Sequence, residues 1–344
     1  MLNKKITVIL LFSLAFFLML ANLVITTKEE EAGENKNLFN SAASLTGAEA
    51  KEIFTNVLKE FDVDTLVVKM KTKKKSYYSV RVKLPSDLPV PLIIKELYSR
   101  FEKSDVVIIA GDSLIKHPRD KKNEPVTYLT LKGSKTGLME VIFQNDMGLI
   151  REKGELAFYI NNFSALSHAE FQYLLTYPEN LGFELLPTKE AKDTKEIISE
   201  NRKESGIILS DEISDIDYKV DSKYSKKRLL MSVKLLIGAF PEYNYFLIDK
   251  DAEIYNSTAF PYLESEFNKR DYRIIPTYKF DYIDGESEEV ILHKFNSISG
   301  KTLKGDNVII SISYDNFIVI QDAIKGLKKK GVRIVPPSKI ITAE

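Results

Sequence analysis

From residue 156 onward two hydrophobic rhythms alternate along the chain. Short apolar runs rich in β-branched and aromatic residues recur at 156–160, 183–186, 206–209, 245–248, 272–275, 308–312 and 332–335. Between most of them the apolar positions fall three and four apart. Leu229, Leu230, Val233, Leu236 and Ile237 do so over 228–237, and Phe317, Ile320, Ile324 and Leu327 do so ahead of the stop at Gly331. Seven short strands alternating with helices predict an α/β domain on a parallel sheet or barrel. Ligands in such folds are met at the C-terminal ends of the strands.

Residues 47–150 follow another pattern. Ala50, Ile53, Phe54, Val57, Leu58 and Phe61 have helical spacing over 48–61. The strand-like runs 65–70 and 77–83 flank Lys71-Thr72-Lys73-Lys74-Lys75-Ser76, which predicts a hairpin with a solvated lysine tip. An anionic glycan or headgroup would be the functional partner of that cluster, but a like-charge block is more often a face turned to water. Pro89 and Pro91 open a helix to Phe101 with Leu92, Ile93, Leu97 and Phe101 on one face. Further strands are predicted at 106–110, 126–131 and 138–143, so this half reads as a small α+β module.

Between Ile6 and Ile25 the only polar residues are Thr7, Ser13 and Asn22. A helix of that length spans roughly 30 Å, the thickness of a bilayer core. Lys4 and Lys5 precede it, and Lys28 is followed at once by Glu29, Glu30 and Glu31. These charges predict a single-pass anchor in the cytoplasmic (inner) membrane over 1–26, with the bulk of the chain periplasmic. A cleaved signal peptide is the rival, but its apolar core is usually about 7–15 residues and ends in small residues; Leu23-Val24-Ile25 stands at that place. Residues 27–46, rich in Glu, Asn, Ser and Ala, read as a linker. The expected organisation is an anchor at 1–26, a linker at 27–46, an α+β domain at 47–150 and a β/α domain at 153–344.

Composition narrows the chemistry. The 344 residues include 49 basic and 49 acidic side chains, three histidines and no cysteine or tryptophan. Lack of cysteine removes disulfides, thiolate-held zinc, iron–sulfur clusters and thiol nucleophiles. The charge balance argues against a nucleic-acid partner.

The first strand of the second half is followed by Asn161-Asn162-Phe163-Ser164 and the third by Ser210-Asp211-Glu212. The fourth opens from Pro241-Glu242-Tyr243-Asn244, and the sixth ends in Ser313-Tyr314-Asp315-Asn316. In the order of such segments, residues 153–341 resemble the divergent polysaccharide deacetylases, extracytoplasmic relatives of the metal-dependent carbohydrate deacetylases. Leu185-Leu186-Pro187 matches the proline-closed second strand, and Ile208-Leu209-Ser210-Asp211-Glu212 stands where the family has a His-x-Pro-Met-Glu-like segment. Tyr243-Asn244-Tyr245-Phe246-Leu247 replaces an Asn-His-x-Gly-Ser strand, and Ile312-Ser313-Tyr314 replaces Ile-Gly-His. The best match is the closing Gly331-Val332-Arg333-Ile334-Val335-Pro336-Pro337-Ser338-Lys339. The resemblance implies an irregular seven-stranded (β/α) barrel of polysaccharide-deacetylase type, preceded by the small α+β domain and the N-terminal transmembrane helix.

The departures bear on activity. Where the family has paired aspartates, this chain has Asn161 and Asn162. Deacetylation with metal help needs an ion held by carboxylates and imidazoles, together with a general base and acid. No histidine stands at a predicted strand end: His117 falls in a loop of the first module, His168 at a helix start and His293 in a helical pattern, where it is expected to be partly buried. The resemblance thus implies a cleft in which Asn161, Asn162, Asp211, Asn244 and Tyr314 meet a substrate, with no catalytic residue and no metal ligand assigned. For Asp211 and its neighbour Glu212, loop capping is the preferred reading over a role in the cleft.

Three functional expectations follow. The first is a membrane-anchored, catalytically degenerate deacetylase-like protein that binds, or formerly modified, cell-envelope glycan. The second is a structural scaffold docking a periplasmic protein partner with no glycan role. The third is an active N-deacetylase with unusual ligands, the only one of the three that calls for a divalent-metal cofactor.

Overall fold

A computed structural model describes residues 44–63, 68–74, 77–116, 123–134 and 136–343. The anchor expected between Ile6 and Ile25, residues 27–43 of the expected linker and His117 lie outside these residues. Among the described residues no helix is long and apolar enough to cross a membrane.

Helix α1 (Gly47–Glu60) begins at a capping box: the Glu49 backbone N–H donates to the Thr46 hydroxyl, and the Glu49 carboxylate accepts from the Thr46 backbone at 2.8 Å. Ala50, Phe54, Val57 and Leu58 form its buried stripe. The sheet beneath it takes β1 (Val68–Lys74) and β2 (Tyr77–Pro85), then α2 (Val90–Phe101), β3 (Val107–Lys116), β4 (Asn123–Lys132) and β5 (Gly137–Asp146). Its order is β1-β2-β5-β4-β3, with β2 and β5 parallel and the other neighbours antiparallel. Both helices cover one face, where Phe54, Ile93 and Leu97 meet Val82, Leu129, Val141 and Phe143. The expected hairpin is present, but residues 71–74 lie in its first strand rather than at its tip, and Lys75 and Ser76 fall outside the described residues. Lys71 pairs with Ser79 and Thr72 with Tyr78, so both belong to β1. Val68 and Met70 pack on the core while Lys69 and Lys71 point to water, an alternation that suits an edge strand.

The second sheet joins β6 (Glu155–Ile160), β7 (Gly182–Leu185), β8 (Glu204–Leu209), β9 (Tyr245–Ile248), β10 (Arg273–Pro276), β11 (Asp281–Ile283), β12 (Val308–Ile312) and β13 (Arg333–Ile334). Its path is β10-β9-β8-β7-β6-β12-β11, parallel throughout. Each of the seven predicted strands has a counterpart, and β11 is an eighth that no hydrophobic run announces. β10 and β11 end the path on opposite sides, yet only residues 277–280 separate them in sequence. The sheet therefore curls so that its two ends approach each other across that short turn without pairing. β13 pairs with the start of β6 and β7 with its end.

Strand alternation sorts two layers. Phe158, Phe183, Leu209, Phe246 and Ile310 point outward against the helices, whereas Ala157, Tyr159, Tyr245, Leu247 and Ile309 fill the interior. The helices of the outer layer are α3 (His168–Thr176), α4 (Lys189–Glu200), α5 (Lys226–Ala239), α6 (Phe260–Asn268), α7 (Glu288–Thr302) and α8 (Tyr314–Lys329). The fully buried Tyr159 ring is admitted by two glycines. A Cβ on Gly182 would lie 2.6 Å from that ring, and one on Gly206 would lie 2.8 Å from it. Its hydroxyl shares a hydrogen bond of 2.7 Å with that of Tyr245, and its ring stacks on Phe280 at 5.5 Å. A short helix, α9 (Pro337–Ile341), closes the N-terminal end of the barrel. The Ser338 backbone N–H donates to the buried Glu204 carboxylate at 2.8 Å, and Lys339 reaches Glu155. The opposite, C-terminal end is left open.

Candidate functional site

β6 delivers Asn161 to the open end. Its backbone N–H donates to the Ile312 carbonyl at 3.0 Å, and its side-chain amide donates to the Ser311 hydroxyl at 3.1 Å. Asn162 follows with φ +53°, a left-handed conformation that asparagine tolerates better than most residues, and turns the chain into the helical turn Phe163–Ala165. On β7, Phe183 and Leu185 face outward, so Glu184 faces the interior. There Ser311 donates to the Glu184 carboxyl at 2.8 Å. Burial pushes that carboxyl up to about 7; the Ser311 hydrogen bond opposes the shift and the negative charge of Asp249 adds to it.

The rest of the rim comes from loops. β9 runs out into Asp249, Lys250 and Asp251, the turn Thr277–Lys279 supplies Tyr278, and β11 supplies Tyr282. Together these residues line a cavity of about 770 Å³ floored by Phe280. Tyr278 is 56% exposed and Tyr282 is 58% exposed, so both rings offer open faces. Tyr255 meets the Tyr278 ring edge-on at 6.4 Å.

Of the residues singled out in the sequence, Asn161 and Asn162 line this cavity, and Asp211, Asn244 and Tyr314 do not. Asp211 is half-buried beyond β8. Asn244 precedes β9 and is exposed at the start of the strand, which in a parallel sheet is the far end of the barrel. The acid that β9 brings to the open end is Asp249. Tyr314 opens α8 beneath the Ser313 cap, and its ring packs edge-on to Tyr173 at 6.3 Å in the helical layer. His168 is the exposed first residue of α3. His293 is exposed rather than partly buried, because Ile291 and Phe295 occupy the inner face of α7.

Sequence reasoning missed Glu184, Asp249, Tyr278, Tyr282 and Ser311. The readable signal was a single polar residue inside an otherwise apolar strand: Glu184 in Gly182–Leu185 and Ser311 in Val308–Ile312. Among the described residues no three His, Cys, Asp or Glu side chains group so as to hold a metal ion. The donors at the rim are two amides, a carboxyl held by Ser311 and the carboxylates of Asp249 and Asp251, with no imidazole. That set does not fit a hydrolytic divalent ion, which favours imidazole and ionised carboxylate together.

No protein-family model matches the chain, and no curated protein matches it. Among solved structures it is similar to an uncharacterized protein from Agrobacterium tumefaciens C58, with 12% identity and TM-score 0.38 over 55% of this chain and 89% of that one. It is also similar to the Bc1960 peptidoglycan N-acetylglucosamine deacetylase, with 16% identity and TM-score 0.38 over 55% of this chain and 88% of the other. A third is a mutant of BA3943, a CE4 family pseudoenzyme with restored enzymatic activity, with 10% identity and TM-score 0.37 over 72% of this chain and 97% of that one.

Proposed function

We propose that the open end of the barrel binds cell-envelope glycan, and that the chain is a membrane-anchored periplasmic protein of deacetylase-like fold that does so without metal-assisted turnover. The observation that carries this reading is the pair of exposed rings, Tyr278 and Tyr282, set around one cavity with Asn161, Asn162, Glu184 and Ser311. A pyranose has apolar C–H faces and a rim of hydroxyls. Tyrosine faces cover the former, and amides, a serine and a carboxyl that both donates and accepts bridge the latter. The cavity is of the size that encloses small ligands. The anchor part of the reading rests on the apolar run between Ile6 and Ile25 and on the lysines before it.

Titration calorimetry of the full-length protein in detergent with N-acetylglucosamine oligosaccharides tests it. Binding is expected, and Tyr278→Ala and Tyr282→Ala should each cost about 1 kcal/mol, a weakening of roughly fivefold. Acetate release with added zinc or cobalt should not exceed the metal-free control. Absence of binding sinks the glycan reading, and acetate release above the control sinks the metal-independent one.

A further inference from the structure

Glu184 is held in the cavity wall by a directed chain of hydrogen bonds. The Asn161 side-chain amide donates to the Ser311 hydroxyl at 3.1 Å, and that hydroxyl donates its single proton to Glu184 Oε1 at 2.8 Å. Oε1 is therefore an acceptor in either protonation state of the carboxyl. Among the described residues the second oxygen, Oε2, has no hydrogen-bond partner. A polar oxygen inside a barrel mouth needs a partner, and here the contents of the cavity are left to supply one.

The surroundings decide which form of the carboxyl a ligand meets. The charged and titratable groups around it are Tyr159 from β6, Asp249, Lys250 and Asp251 beyond β9, Tyr278 of the turn and Tyr282 of β11. Ser311 from β12 and Ile208 from β8 carry no charge, and the Glu204 carboxylate of β8 lies at the far end under Ser338. Lys250 is exposed, and no ion pair joins it to Glu184 among the described residues. Burial lifts the Glu184 carboxyl to about 7, and the negative charge of Asp249 acts in the same direction. Since Oε1 accepts from Ser311, the retained proton sits on Oε2, where it is a donor.

A sugar hydroxyl both donates and accepts, so it can meet the carboxyl in either form. An amide carbonyl only accepts, so it requires the proton. On an uncharged glycan the N-acetyl carbonyl is the strong acceptor of that kind. We propose that Glu184 is the residue that reads an N-acetyl group, donating from Oε2 to its carbonyl oxygen as a neutral carboxylic acid. Ser311 and Asn161 are the positioning residues that leave Oε2 as the donor. This role rests on the glycan reading of the cavity and adds a named contact to it.

The test is calorimetric titration of the full-length protein in detergent, from about pH 5 to about pH 8, with two tetrasaccharides of the same linkage. One is built of N-acetylglucosamine and the other of glucose, which has a hydroxyl in place of the acetamido group. Because affinity scales with the protonated fraction, the acetylated ligand should bind about tenfold more weakly at the upper pH. The glucose ligand should show no such fall. Glu184→Gln keeps an acceptor for Ser311 and a donor beside it, so it should bind the acetylated ligand equally at both ends of the range. Ser311→Ala removes the hydrogen bond that opposes the upward shift, and should move the fall to higher pH. An unchanged affinity across the range overturns the proposal and leaves the glycan reading standing. A fall that persists in Glu184→Gln, or an equal fall with the glucose ligand, also overturns it. Absence of binding at every pH removes the glycan reading and this role together.

Discussion

The Glu184 carboxyl stands between two outward-facing apolar neighbours and is lifted to about 7, mainly by burial. Unfolded, it titrates near 4.5, so between those values the folded chain keeps a proton that the unfolded chain releases. The resulting stabilisation is fully present below about 4.5 and is lost as pH rises through about 7. Allowing for its partial exposure, the effect is on the order of 2 kcal/mol. Urea unfolding should therefore show the native protein weakening between pH 4.5 and 8 relative to Glu184→Gln; parallel pH profiles would refute this origin. Deeper in the barrel, Tyr159→Phe leaves the Tyr245 hydroxyl buried without its 2.7 Å partner. The expected loss is about 1–3 kcal/mol, read from the urea midpoint.

At the level of strands and helices, the glycines separate into two kinds. Gly206 makes room for Tyr159 and Leu247, and an added Cβ would lie 2.6 Å from the Leu247 side chain. Gly206→Ala should destabilise by roughly 1–3 kcal/mol. Gly326, inside α8, has open space around its would-be Cβ, and Gly326→Ala should stabilise by about 0.5–1 kcal/mol. Thermal melting of the two variants should shift in opposite directions. The strands were readable in the sequence because burial on both faces leaves continuous apolar runs, as in Tyr245–Ile248. β11 was not, since Asp281–Ile283 is too short to carry a period and is placed by its pairing with β12. Half of the open rim was hidden for a related reason. Asn161 and Asn162 follow a strand and can be read as rim residues, whereas Glu184 and Ser311 lie within strands and reach the cavity only because the sheet curls. Asn244 lies at the other end of the barrel from the rim, because it precedes β9, and in a parallel sheet the residues before a strand and those after it stand at opposite ends.

Across the molecule, Arg151 ties the two sheets together. Its guanidinium is only 7% exposed, pairs with Asp87 at 2.8 Å and donates to the carbonyls of Phe61 at 3.1 Å and of Lys329 at 2.7 Å. Lys329 in turn pairs with Glu96 at 2.7 Å, which holds that carboxyl below its usual range. Arg151→Met leaves buried carbonyls without a donor, so a single calorimetric transition should separate into two. Persistence of one transition would show that the modules are coupled by other contacts. The closure of the barrel by β13 and α9 has a consequence for biosynthesis. Residues 333–341 complete the edge beside residue 155 and cap Glu204, so the barrel cannot finish folding until synthesis has run almost 180 residues beyond β6. The first module builds its core from its own strands and helices and is expected to fold while the rest is still emerging. A chain ended at Lys330 should then keep a protease-resistant first module and a degradable barrel. In the cell, the start of β6 would wait for β13 and the Glu204 carboxylate for its cap, and during that interval the N-terminal end of the barrel would be open to water.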